Sequence, residues 1–175
     1  KLYKTVMFDF KLILILIFIL NTACSKNEKQ VSIIKEKDLN SQLYEAYSEG
    51  IEALEKGDVI FAAKKFNEAE ILYPQSEWAP KSSLMAAYSY YVQDYYSDAI
   101  AELERFIKVY STHKNLDYAY YLLAICYYEQ IVDEKKDLQS IIQAKKYFIL
   151  IKNNYQNSEY ALDADFKIDL INDII

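Results

Sequence analysis

The segment Ala62-Ala63-Lys64-Lys65-Phe66-Asn67-Glu68-Ala69-Glu70-Ile71-Leu72-Tyr73 sets Phe66 four positions after Ala62, and Tyr73 seven after that. The pattern returns at Ala99/Leu103/Tyr110, 37 residues on, and at Ala144/Phe148/Tyr155, a further 45 on. Positions i and i+4 share one face of an α-helix. On such a face the alanine permits close approach of a neighbouring helix, and the Phe or Leu fills the space one turn later. Small residues also recur upstream, at Gly50, Ala87 and Ala124, each 37 apart. A period of this size marks stacked helical hairpins, none of which can bury its own apolar faces alone.

Each unit divides into two helices. The spacing predicts about Asn40–Lys56 and Ile60–Tyr73 in unit one, and about Glu77–Gln93 and Tyr96–Tyr110 in unit two. Unit three is predicted over about Leu116–Val132 and Leu138–Asn154. Gly57 follows a lysine-ended helix, where a C′ glycine adopts positive φ freely; Pro74 stops the second helix. The eight extra residues of unit three fall between Ala124 and Ala144, around the charged stretch Asp133-Glu134-Lys135-Lys136-Asp137, a surface loop by composition. Ser158-Glu159-Tyr160-Ala161 echoes Ser76-Glu77-Trp78-Ala79 at an offset of 82 and opens a fourth unit. The predicted fold is all-α, a right-handed αα-solenoid with units 39–75, 76–112 and 113–157 and the start of another at 158–175. Composition agrees. Two Gly and two Pro in 175 residues, 53% of them hydrophobic, exclude turn-rich β folds and low-complexity classes. The spacing of Gly50, Ala62, Phe66, Ala69 and Pro74 resembles the tetratricopeptide repeat; Ala53 departs from it where Tyr is usual, and Ser111 and Gln156 where Pro is usual.

The amino terminus has another character. Lys1, Lys4 and Lys11 precede nine unbroken apolar residues, Leu12–Leu20. That run is too short to span a bilayer, which takes about 20 residues. A basic stretch, a short apolar run and then small residues are the pattern of an export signal. Asn21-Thr22-Ala23-Cys24 follows, and it resembles a bacterial lipoprotein leader, with Asn21 where the usual box has Leu. The expectation is a signal over 1–23, a lipidated Cys24 and a polar tether through residue 38. Met7–Ala23 forms a compact leader, so Lys1–Val6 is expected to be upstream sequence.

Removing residues 1–23 leaves 17 basic and 25 acidic residues, a net charge of −8. An acidic body disfavours nucleic acid, whose affinity rests on Lys and Arg neutralising phosphates. It also leaves membrane attachment to the lipid. Cys126 lies in an apolar helical run and is expected to be a buried thiol; no Cys/His spacing suits zinc. No phosphate loop, dinucleotide fingerprint, nucleophile elbow or zinc-protease motif is present. No catalytic residue, metal or cofactor is expected.

The order of features narrows the resemblance. The stretch Arg105-Phe106-Ile107-Lys108-Val109-Tyr110-Ser111-Thr112-His113-Lys114-Asn115-Leu116-Asp117-Tyr118-Ala119-Tyr120-Tyr121 is similar to the R-F-I-x-x-x-P-T-H-P-N-x-D-Y run of the BamD (YfiO/ComL-like) family of outer-membrane assembly lipoproteins. Ser111 and Lys114 replace its prolines. Tyr73-Pro74, Ala87-Tyr88-Ser89-Tyr90-Tyr91, Tyr128-Glu129-Gln130 and the segment Tyr155–Ala164 also match. The resemblance spans about Leu39–Ile175. It implies a lipid anchor on the periplasmic face of the bacterial outer membrane. The implied partners are a BamA-like barrel-assembly subunit, other assembly-complex lipoproteins and unfolded outer-membrane β-barrel proteins, engaged through their aromatic-ended carboxyl termini. Such proteins usually carry five repeats, so the chain is expected to be truncated. A different periplasmic repeat adaptor, such as a cell-envelope or division scaffold, is the alternative, and an enzyme with a helical accessory domain is a third class.

The repeat places Tyr44, Tyr47, Tyr88, Tyr91, Tyr121 and Tyr128 on the inner face of the first helices, with Glu129 beside the last. Such a face could hold an extended peptide by apolar contact and phenol hydrogen bonds. Arg105, His113, Asn115 and Asp117 are candidate contacts because they lie in the family-like stretch. From their own chemistry, Arg105 is expected to pair with Glu102 or Glu104, Thr112 and Asn115 to cap the helix at Leu116, and Asp117 to favour its first turn. In the last helix, Phe166, Leu170 and Ile174 are expected to present an apolar face.

Overall fold

The computed structural model of the chain describes residues 38–130 and 138–174, with the side chain of residue 174 excepted. The predicted leader, Cys24, most of the tether and the charged loop of unit three lie outside these residues.

Seven helices are present among the described residues: α1 (Leu39–Glu55), α2 (Val59–Leu72), α3 (Trp78–Tyr91), α4 (Tyr96–Val109), α5 (Leu116–Glu129), α6 (Leu138–Asn154) and α7 (Tyr160–Ile174). They form an all-α solenoid of tetratricopeptide-like hairpins. Each helix packs on its neighbours in sequence, and the leading non-sequential pair is α5 with α7. Contacts therefore stay local, as the repeat requires.

The repeated residues meet where the spacing places them. Phe66, Leu103 and Phe148 are fully buried, as are Ala62, Ala99 and Ala144. Gly50 explains its own identity: a Cβ built there would stand 2.8 Å from Cε1 of Phe66. Phe66 has no room to retreat, because Tyr47 packs edge-on against it at 5.2 Å.

The turns repeat as faithfully as the core. After α1, the Gly57 N–H donates to Leu54 O and the Asp58 N–H to Ala53 O; after α3, the Asp94 N–H donates to Tyr91 O and the Tyr95 N–H to Tyr90 O. Both are Schellman closures. The left-handed residue is Gly57 in one (φ 79°) and Asp94 in the other (φ 62°). A short polar side chain tolerates that region better than a bulky one, and Asp94 Oδ1 accepts from the Tyr96 hydroxyl at 2.7 Å. The turns that leave the second helices also match. N–H groups of Ser76, His113 and Ser158 donate to the carbonyls of Tyr73, Tyr110 and Tyr155. The same turn forms with Pro74, Ser111 or Gln156 as its second residue.

One local expectation is corrected. Asn115 stands at the start of α5, yet its side chain makes no capping bond. Its backbone N–H instead donates to Nδ1 of His113 at 3.2 Å, because the tight turn folds the imidazole back over the helix start. Arg105 pairs with Glu102, one of its two expected partners, while Glu104 accepts from the Tyr127 hydroxyl; its further partner is Glu70 on α2. In α7, Phe166 is exposed, as expected, together with Leu162, and Leu170 is half-buried; the buried face is Ala164, Ile168 and Ile171, and the side chain of residue 174 lies outside the described residues.

Candidate functional site

A groove of about 480 Å³ crosses the first helices of the first three units. It is lined by Tyr47 from α1, Lys81, Leu84, Met85 and Tyr88 from α3, and Asn115 and Tyr118 around the start of α5. The lining follows from helical periodicity, since positions 81, 84, 85 and 88 share one face of α3. Stacking of the repeats sets that face beside the matching faces of α1 and α5.

Two hollows adjoin the groove through shared walls. One, of about 780 Å³, includes Lys81, Lys114, Asn115, Trp78, Val109 and His113. The other, of about 400 Å³, includes Lys114, Asn115, Asp117, Tyr118, Glu159 and Tyr160. Asn115 lines all three.

The predicted tyrosines divide. Tyr47 and Tyr88 line the groove. Tyr44, half exposed at 51%, lies edge-on to Trp78 at 5.2 Å at its margin. Tyr91 packs between Tyr88 and Tyr96, at 6.2 and 6.3 Å. Tyr121 stacks on Tyr160 at 4.8 Å and donates to Asp163 Oδ2 at 2.6 Å. Tyr128 lies edge-on to Phe148, with the Lys167 ammonium 4.8 Å from its ring centre. These last two join α5 to α6 and α7, and Glu129 beside them is exposed.

The family-like stretch divides as well. Asn115 is in the groove. His113 turns its ring edge-on to Phe106 at 5.8 Å, and burial followed by the Lys114 charge holds its pKa below the usual value. Asp117 Oδ2 accepts from the Ser158 hydroxyl at 2.7 Å. Arg105 works inside the fold. Its Nη1 and Nη2 donate to the two Glu70 oxygens at 2.9 and 2.6 Å, and its Nε donates to Glu102. Nη2 also reaches Ser83 Oγ and Asn67 Oδ1. The Glu70 carboxylate accepts from the Tyr110 hydroxyl as well.

Lys81, Leu84, Met85 and Tyr118 were not singled out in the sequence. The repeat itself held the signal: steps of 37 from Tyr44 reach Lys81 and Tyr118, and a step of 37 from Tyr47 reaches Leu84. Burial raises the pKa of Tyr47 and Tyr118, so both phenols stay neutral donors. The groove therefore offers aromatic and aliphatic walls with neutral hydroxyls, and an ammonium at one end. No group of His, Cys, Asp and Glu among the described residues is placed to hold a metal, and Cys126 is a buried free thiol. No described helix is long and apolar enough to cross a membrane.

The family model described as "Outer membrane lipoprotein" (YfiO) matches residues 39–175, from the first residue of α1 onward. The chain belongs to the YfiO outer membrane lipoprotein family. Among relatives of this chain is the "Outer membrane protein assembly factor BamD" of Caulobacter vibrioides, 38% identical over 150 residues, which are 86% of this chain and 48% of the relative. The protein of the same name from Rickettsia prowazekii is 34% identical over 136 residues, 78% of this chain and 54% of the relative. That of Neisseria gonorrhoeae is 29% identical over 128 residues, 67% and 48%. The chain spans about half the length of the curated relatives it matches.

Proposed function

We infer that the chain is a scaffold and substrate-recognition subunit of the β-barrel assembly machinery. It is anchored to the periplasmic face of the outer membrane by lipid on Cys24, it binds a BamA-like subunit, and it acts without catalysis. Family membership supports the location, and the relatives' name supports the process. The observation that carries recognition is the groove of Tyr47, Leu84, Met85, Tyr88 and Tyr118. Unfolded barrel proteins are extended and alternate apolar with polar side chains. A groove with apolar walls and neutral phenols can take apolar side chains of such a segment while the hydroxyls bond its backbone.

The test has two arms. Purified lipidated protein, with its full gene product, is used to capture the BamA-like subunit under native conditions. Recovery is expected, and its absence removes the assembly role. In the second arm, Met85→Glu and Tyr88→Ala are expected to weaken binding of a urea-unfolded barrel protein without loss of helicity. Unchanged binding by both variants removes the groove as the recognition surface.

A further inference from the structure

The outer face of α6 has a composition of its own. Leu138, Ile142, Lys146, Ile149 and Asn153 are spaced by four, four, three and four residues, which aligns them along one side of a helix. The opposite side, with Ile141, Ala144, Phe148 and Ile151, is buried in the core. On the outer side Leu138 is 56% exposed, Ile142 46% and Ile149 39%. The counterparts of Ile142 and Ile149 on α4, one 45-residue step back, are Ser97 and Glu104, so the repeat does not require isoleucine there. Charge follows the same line. α6 carries Lys145, Lys146 and Lys152 and no acid, in a chain of net charge −6. Lys152 pairs with Asp165 of α7, and Asp169 of α7 also acts on it. Among the described residues no carboxylate pairs with Lys145 or Lys146; the other ion-paired cations are Lys56, Lys65 and Arg105. The Lys146 Nζ lies 5.1 Å from the centre of the Tyr147 ring. Glu104, across on α4, already accepts from the Tyr127 hydroxyl.

We propose that the outer face of α6 is a membrane contact separate from any lipid anchor, in which Ile142 and Ile149 enter the headgroup region of an anionic phospholipid surface and Lys145 and Lys146 meet its charge. A helix lying in that plane binds through buried apolar area and attraction to anionic lipid together. Each basic residue near such a surface strengthens binding about fivefold. The acidic body as a whole is repelled by anionic lipid, and α6, the most basic of the described helices, is the local exception. Membership of an outer membrane lipoprotein family keeps a bilayer, rather than a soluble acidic partner, within reach of this face. Three exposed apolar side chains are too few to hold the protein on their own. The contact adds to the lipid proposed on Cys24 and selects which face of the helical repeats meets the membrane. It does not depend on the groove.

The experiment is vesicle flotation of the full gene product, expressed without its leader and with Cys24→Ala so that no acyl chain contributes. Binding is expected with vesicles of phosphatidylcholine mixed with phosphatidylglycerol. It should weaken in high salt and be lost with phosphatidylcholine alone. Lys145→Gln/Lys146→Gln is expected to lower the partition coefficient about 25-fold, fivefold for each lysine. Ile142→Asn/Ile149→Asn should lower it at low and high salt alike, with helicity unchanged. Lys64→Gln, an exposed lysine on α2, and Tyr88→Ala in the groove should bind as the parent does, so failure of the groove and failure of this contact are told apart. No binding by the parent protein, or equal binding by the parent and both double variants, overturns the proposal. Capture of an acidic protein that both double variants abolish, with vesicle binding absent, overturns it as well and gives the face to a protein partner.

Discussion

Nη2 of Arg105 on α4 donates to Oε2 of Glu70 on α2 at 2.6 Å, across 35 residues of sequence. Nη1 takes the other oxygen, so the contact is a two-point fork. Arg105 is the sole arginine among 20 basic residues, and its planar guanidinium reaches α2 and α3 at once. Ser83 of α3 accepts from the same nitrogen, so three helices converge on one side chain.

Removing the acid should therefore cost stability. Breaking a fully buried pair costs roughly 3–5 kcal/mol. Glu70 is buried, but the Arg105 side chain is 39% exposed and part of its charge is solvated. Glu70→Ala is expected to lower unfolding free energy by about 2 kcal/mol, measured by urea titration, whereas Glu104→Ala should stay within about 0.5 kcal/mol. Equal effects would remove Glu70 as the anchor of the network.

The two glycines should respond differently to alanine. At Gly50 the added methyl meets the fixed ring of Phe66, so the usual helix gain is overridden and a loss of about 1–3 kcal/mol is expected. At Gly57 nothing stands within 4 Å, and only the positive φ opposes the change, at about 1 kcal/mol. Adding Phe66→Leu to each variant should recover part of the loss in Gly50→Ala and none of it in Gly57→Ala. Thermal unfolding of the four variants decides it.

His113 predicts a pH dependence. Its folded pKa is lowered, so the neutral imidazole is the favoured form in the fold. The stabilisation is present above the unfolded value near 6.5 and is lost as pH falls below it. Protonation also takes away the Nδ1 acceptor of the Asn115 N–H. Unfolding free energy should fall on acidification from pH 7 toward 5, and His113→Gln should flatten that part of the profile. A profile unchanged by the substitution would argue against His113 as its source.

Cys126 should be chemically silent in the native state. It is fully buried, and burial pushes its thiol pKa up to about 12, so the reactive thiolate is scarce at neutral pH. Mass spectrometry after iodoacetamide treatment at pH 8 is expected to find Cys126 modified only when denaturant is present. Modification under native conditions would show local opening of α5.

The closures after α1 and α3 show how far periodicity reaches. Gly57 announces its turn by residue type, and Asp94 occupies the same left-handed position one period later without being a glycine. The residues of the groove were within reach of the same arithmetic, yet the sequence reading kept to tyrosines on the inner face. Lys81 and Leu84 take two of those places, while Tyr121 and Tyr128 leave the surface to pack between helices.

Helix positions, hairpin units and the buried Ala62/Phe66 series were determined by the sequence alone, because a 3.6-residue period and a 37-residue repeat are local properties that survive in the unfolded chain. The tertiary structure decided which polar groups meet. Glu70 finds Arg105, and Asp163 finds Tyr121, only once helix crossings and rotations are set. The groove belongs to that second class: its walls come from three helices, and their relative rotation turns Tyr47, Met85 and Tyr118 toward one space.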